Sequence, residues 1–190
     1  MMRALFRRRD HRHNAPAAAW PPVITTDRLV LRVAAPEDFD ACARFYASDR
    51  SVAVGGPINR ETAWRLLGTI IGHWALRGYG PFVILPKAPE AAIGLTGPWF
   101  PEGWPEPEIS WMMWNPAHEG RGLMHEAASA ARRFAYHTLG WRTAVSYIAP
   151  GNARSIALAS RLGARPDPHA RHHDGDPHIV YRHPAPEGCA

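Results

Sequence analysis

Met112-Met113-Trp114-Asn115-Pro116-Ala117-His118-Glu119-Gly120-Arg121-Gly122-Leu123-Met124-His125-Glu126-Ala127 passes from an apolar run through a glycine-punctuated turn into a helical pattern. Its apolar start continues Glu108-Ile109-Ser110-Trp111. Residues 108–114 therefore read as a central strand, nearly continuously apolar because both faces are covered. Asn115-Pro116 ends the strand. Gly120 and Gly122 then leave backbone N–H groups clear of side chains. The helix that follows, to about Leu139, adds more unpaired N–H groups and the positive end of a dipole. Such a turn suits a phosphate or pyrophosphate; read structurally, it is a tight strand–helix connection. It is not a P-loop, because no Lys-Ser/Thr follows, and not a dinucleotide fingerprint, because His125 stands where a third glycine is needed.

After this helix, the next strand is Thr143–Ile148. Asn152 then opens a helix that Gly163 stops, the residues of an N-cap and a C-terminal glycine. The helix after Gly122 carries Met124, Ala127, Ala128, Ala131 and Ala135 inward, small enough to bring its axis close to a sheet. Upstream, Leu29–Val33 reads as the first strand. A helix opened by Ala35-Pro36-Glu37-Asp38 shows Phe39, Cys42, Ala43 and Tyr46 at helical spacing. Gly55-Gly56-Pro57 breaks the chain, and a second helix spans Glu61–Leu76 with Trp64, Leu67, Ile71 and Trp74 on one face. Pro81–Leu85 and Ala92–Gly97 form a hairpin, Pro98–Pro107 a Pro/Trp-rich loop, and Ile179–Tyr181 a last short strand. The order βααβββαβαβ specifies a mixed sheet with helices on both faces.

Composition narrows the function. The chain has 190 residues, 46% of them hydrophobic, enough for one domain with a real core. The formal charge is +5, but Arg3, Arg7, Arg8, Arg9 and Arg12 fall in the first 13 residues against only Asp10, so the body is near neutral. Residues 1–22 read as a disordered basic and Ala/Pro-rich tail, 23–184 as the domain, and 185–190 as a C-terminal tail. A near-neutral body argues against nucleic acid as partner. No apolar run is long enough to span a membrane. Cys42 and Cys189 form no disulfide framework, which suits a reducing cytoplasm. His169, His172, His173, Asp174, Asp176 and His178 match no rigid ligand spacing, so no metal is expected.

Two segments taken together resemble a known family. A strand, Glu119-Gly120-Arg121-Gly122-Leu123-Met124-His125-Glu126-Ala127, a helix, a strand and Asn152-x-x-Ser155-Ile156-x-Leu158-x-x-x-Leu162-Gly163 resemble the GNAT N-acetyltransferases. The likeness is greatest to the branch that acetylates ribosomal-protein N-termini, whose opening strand resembles Thr26-Asp27-Arg28-Leu29-Val30-Leu31-Arg32. It spans about Thr25 to Tyr181. It implies an α/β (α+β) fold with a mixed, mostly antiparallel sheet of about six to seven strands, and acetyl-CoA as co-substrate. The pantetheine arm would pair with the backbone of Met112, Met113 and Trp114. The pyrophosphate would rest on N–H groups of Glu119, Gly120, Arg121, Gly122, Leu123 and Met124, with Asn152 and Ser155 toward the thiol end. Three positions depart from the family pattern: Glu119 replaces Gln or Arg, Met124 replaces Gly or Ala, and Ala159 stands where many members carry a tyrosine acid.

For the chemistry, direct attack of a neutral amine on the thioester requires a proton acceptor. Glu108, at the start of the central strand, is the candidate base; read structurally, it is an edge carboxylate. Ser155 is the candidate donor to the leaving thiolate, or simply a helix N3 residue. Trp99, Phe100, Trp104 and Trp111 are candidates for the acceptor wall, where cation–π contact attracts an amine. The acceptor is a small-molecule or peptide amine, and the protein a monomer or homodimer. The competing reading is a non-catalytic acyl-CoA-binding regulatory module on the same fold.

Overall fold

In the computed structural model, which describes residues 22–88, 91–172 and 177–186, the β-forming runs pair into one sheet. Its strands are β1 (Ile24–Thr25), β2 (Leu29–Arg32), β3 (Phe82–Pro86), β4 (Gly94–Trp99), β5 (Glu108–Met113), β6 (Val145–Ile148), β7 (Arg165–Pro166) and β8 (Ile179–Arg182). Their spatial order is β1-β2-β3-β4-β5-β6-β8-β7. All neighbours run antiparallel except β5 and β6. The mixed, mostly antiparallel sheet is the one the sequence implies. Its eight strands are six longer ones plus β1 and β7, two-residue strands too short to show periodicity. The basic segment of residues 1–21, together with His173, Asp174, Asp176 and Cys189, lies outside the described residues.

Among the described residues, four α-helices flank the sheet: α1 (Phe39–Tyr46), α2 (Arg60–Arg77), α3 (Leu123–His137) and α4 (Ala153–Arg161). Alternation along β3 separates two cores. Val83, with Leu95 of β4 and Met112 of β5, packs on Cys42, Tyr46, Ala63, Leu67 and Ile70 of α1 and α2. Phe82 and Ile84 pack on Leu123, Ala127, Ala130 and Ala131 of α3. The alanine face of α3 is buried as expected.

The buried face of α2 differs from the expected one. Leu67 and Trp74 are buried, but Trp64 is 54% and Ile71 36% exposed, while Ala63, Ile70 and His73 point inward. Both stripes have helical spacing. The tertiary contact selects the one with Ala63 because a small side chain admits α1, and Trp64 is left edge-on to Phe39, ring centroids 5.0 Å apart. Caps hold the helix ends: Asn59 Oδ1 accepts from Thr62 N at 2.8 Å, and Asn152 Oδ1 from Ser155 N at 3.1 Å. Each such cap stabilises by about 1 kcal/mol.

The feature that positions the site is an interruption. The parallel pairing of β5 and β6 consists of one register pair, Glu108 with Val145. Beyond it the two strands part.

Candidate active site at the parting of two strands

Hydrogen-bonding groups on a strand alternate between its two edges, so the β5 residues that face the opening can be worked out. Ser110 O accepts Thr96 Oγ1 from β4 at 2.8 Å. An ideal Cβ on Gly94 would stand 2.5 Å from Met112 O, and Trp114 N donates to Ile93 O at 2.8 Å. Ser110, Met112 and Trp114 therefore turn their backbone toward β4. Ile109, Trp111 and Met113 turn theirs toward β6: Ile109 O accepts Ser146 Oγ at 2.6 Å, and Met113 O accepts Arg50 Nη2 at 2.8 Å. The open edge thus belongs to Trp111 and Met113. Of the three residues expected to offer it, Met112 and Trp114 are spent on the other side.

At the outer end of this edge lies the glycine turn. Gly120 and Gly122 have φ of 69° and 74°, a left-handed conformation that other residues adopt at a cost. Gly122 caps α3 without a side-chain bond, and the first-turn N–H groups of a helix have no intrahelical partner. A groove of about 410 Å³ runs from Trp111, Met112 and Met113 past Glu119, Gly120, Gly122 and Met124 to Asn152 and Ser155. Arg50, Arg154 and Arg161 also line it, so its charge favours an anion. Glu119 does not stand free: Oε1 accepts from Arg50 at 2.6 Å, and Oε2 pairs with Arg154 at 3.0 Å. Behind the turn, Arg28 Nη1 donates to Arg121 O at 3.0 Å, while its Nε and Thr26 Oγ1 each bond Glu126 at 2.6 Å. The Thr26-Asp27-Arg28 stretch thus braces the turn.

At the inner end, where β5 and β6 meet, sits Glu108. It is 8% exposed. Its Oε2 accepts from Trp104 Nε1 at 2.8 Å, and the carboxylate also takes the backbone N–H of Tyr147 on β6. Burial outweighs both bonds and pushes this carboxyl up to about 7. On the opposite face, Trp111 Nε1 donates to Ser155 Oγ at 3.1 Å. That bond uses an acceptor site of the hydroxyl and leaves its proton to give. The junction is fastened by Ser146, which bridges Ile109 O and His183 Nε2, the latter at 2.9 Å. Burial, with Arg132 beside it, pushes the His183 imidazole down to about 3, so it stays neutral.

The four aromatics proposed as one acceptor wall are divided. Trp99 stacks on His73 with centroids 4.7 Å apart. Phe100 lies under the Arg77 guanidinium at 5.4 Å. Trp104 alone covers Glu108, and Trp111 faces α4. Sequence reasoning missed Arg50, Arg154, Tyr147 and Ser146. Only their sequence-distant partners give them a place in the site, so no local pattern marks them.

An open strand edge that leads to a cationic helix N-terminus offers hydrogen-bonding groups and positive charge suited to an extended chain that carries phosphate. The chain belongs to the GNAT acetyltransferase family: the family model for the acetyltransferase (GNAT) domain matches residues 28–165. GNAT acetyltransferases use acetyl-CoA as the acetyl donor. The chain is similar to an acetyltransferase from Agrobacterium tumefaciens, with 38% identity over 85% of this chain and 94% of that one, TM-score 0.80. It is also similar to a GNAT-family acetyltransferase from Bordetella pertussis, with 28% identity over 86% and 99%, TM-score 0.72. RimL, a ribosomal alpha-N-protein acetyltransferase in complex with coenzyme A, shares the fold at 18% identity over 85% and 96%, TM-score 0.67.

Proposed function

We propose that this chain is an N-acetyltransferase that moves the acetyl group of acetyl-CoA onto a primary amine of pKa near 8, by direct attack in a ternary complex. The observation that carries this reading is Glu108, a buried carboxyl at the inner end of the open edge with its pKa pushed up to about 7. A general base works best with a pKa near the operating pH. A carboxylate of pKa about 7 takes a proton readily from an α-ammonium (about 8) and poorly from a lysine ammonium (about 10.4). The acceptor is accordingly a protein N-terminus or a small-molecule amine.

The residues divide the work. The edge groups of Trp111 and Met113 pair with the pantetheine amides, and the N–H groups of Gly120 to Met124 hold the pyrophosphate. Trp111 N–H, nearest the inner end, polarises the thioester carbonyl. The amine nitrogen bonds to the carbonyl carbon as the C–S bond breaks. Glu108 takes the first ammonium proton and frees the amine to attack; the Ser155 hydroxyl gives its proton to the leaving thiolate and is restored, through solvent, by the second proton that the nitrogen sheds as it becomes an amide. Holding both reactants supplies proximity and orientation. Asn152, by capping α4, fixes Ser155 in its first turn.

Thiol release from acetyl-CoA, measured across α-amino peptides, free amino acids and Nα-blocked lysine peptides, tests this. The expected result is turnover of α-amines with kcat/KM about 100-fold or more above blocked lysine. Preference for blocked lysine contradicts the assigned base. Binding of acetyl-CoA with no thiol release on any amine makes the chain an acyl-CoA-binding regulatory module instead.

A further inference from the structure

Glu119 opens the phosphate turn with a carboxylate, which repels the anion the turn is shaped to hold. Both its oxygens are engaged, one by Arg50 and one by Arg154. The two arginines differ. Arg154 is 79% exposed, so its pair contributes little. Arg50 is more deeply set, and its Nη2 makes two bonds at once, to Glu119 Oε1 at 2.6 Å and to Met113 O at 2.8 Å. Its Nε is buried and has no hydrogen-bond partner among the described residues. Arg50 is supplied by the short 3₁₀ turn Asp49–Val54, between α1 and α2, far from the glycine turn in sequence. One guanidinium thus covers the outermost carbonyl of the open edge and neutralises the carboxylate beside the phosphate turn.

These two contacts compete with the cofactor in opposite ways. Met113 O is a group on which a pantetheine amide pairs, so Arg50 stands in the place of that amide. The pyrophosphate, in turn, is a better partner for a guanidinium than a single carboxylate, offering more charge and more acceptor oxygens. Resting on the acetyl-CoA reading above, we propose that Arg50 is an exchange residue for the cofactor. It yields Met113 O to the pantetheine arm and transfers its charge from Glu119 to the cofactor phosphate. Arg50 then sets a preference for phosphate-bearing thioesters over the same thioester without phosphate, and it explains how the turn tolerates Glu119.

The test compares two ligands that share the thioester and the pantetheine amides but differ in phosphate: acetyl-CoA and S-acetylpantetheine. Calorimetric titration of the full chain is run for the wild type, Arg50→Met and Glu119→Gln. Arg50→Met is expected to weaken acetyl-CoA about tenfold and to tighten S-acetylpantetheine about threefold, because Met113 O is no longer contested. Opposite signs are the signature, since a merely structural role moves both ligands together. Glu119→Gln, which keeps the side-chain shape, is expected to tighten acetyl-CoA about threefold by removing the competing charge. Shifts of the same sign for both ligands in Arg50→Met, or no gain in Glu119→Gln, overturn the exchange; should Arg50→Met fail to fold, Glu119→Gln decides. A wild type that binds neither ligand contradicts the acetyl-CoA reading itself.

Discussion

Glu108→Gln lowers kcat by about 100- to 1,000-fold while the KM for acetyl-CoA changes little: this is the largest effect expected, because general-base catalysis contributes on that order. The glutamine keeps the shape and, through its one amide oxygen, still accepts from Trp104 Nε1. It cannot take a proton from the ammonium. In the wild type, activity should rise with pH through about 7 as Glu108 ionises. In the variant that limb disappears, leaving the slower rise set by the amine's own ionisation near 8.

The same substitution has a stability signature of known sign. Folding raises the Glu108 carboxyl from 4.5 to about 7, so between those values the native state holds a proton that the unfolded chain has lost. Stability from the neutral carboxyl is fully present below 4.5 and is lost as pH rises through about 7. Glu108→Gln, neutral throughout, should therefore melt higher than the wild type at pH 8 and close to it at pH 4. A variant both inactive and less stable at pH 8 would assign Glu108 a structural part instead.

Gly122→Trp should cost acetyl-CoA affinity on the order of 100-fold or more. Gly122 has φ 74°, and a non-glycine residue there carries about 1–2 kcal/mol of strain. A Cβ at this position would meet only Arg28 Nη2, at 3.6 Å, so the fold survives the change. The indole, however, fills the space before the first N–H groups of α3. Gly120→Ala separates strain from blockage. It has the same handedness, φ 69°, and nothing within 4 Å of its Cβ, so its affinity loss should be small. Retained affinity in Gly122→Trp, read by calorimetry, would place the pyrophosphate elsewhere.

What was legible in the sequence was local. The apolar run of β5, the glycines of the turn, the alanine face of α3 and the Asn152 cap all follow from spacing within one element. What was not legible depends on pairing between distant elements. Whether Trp111 and Met113, or Met112 and Trp114, face the opening is fixed by the register of β5 against β4, where Gly94 lets Met112 O approach. The α2 stripe is ambiguous in the sequence because two helical stripes share Leu67 and Trp74, and only contact with α1 chooses between them. Glu108 is a candidate by its place at the strand start, but its raised pKa comes from burial, which composition does not reveal. The aromatic loop read as one wall because its residues are adjacent in sequence; His73 and Arg77 on α2 draw Trp99 and Phe100 away from Glu108. The Glu119 departure gains its meaning only with Arg50 beside it.

Amide hydrogen exchange at Trp111, Met112, Met113 and Trp114, with and without saturating acetyl-CoA, tests the open edge most directly. Slower exchange at Trp111 and Met113, with no change at Met112 and Trp114, whose N–H groups already face β4, is the expected result. Unchanged exchange at Trp111 and Met113 in the acetyl-CoA complex would contradict cofactor pairing along this strand.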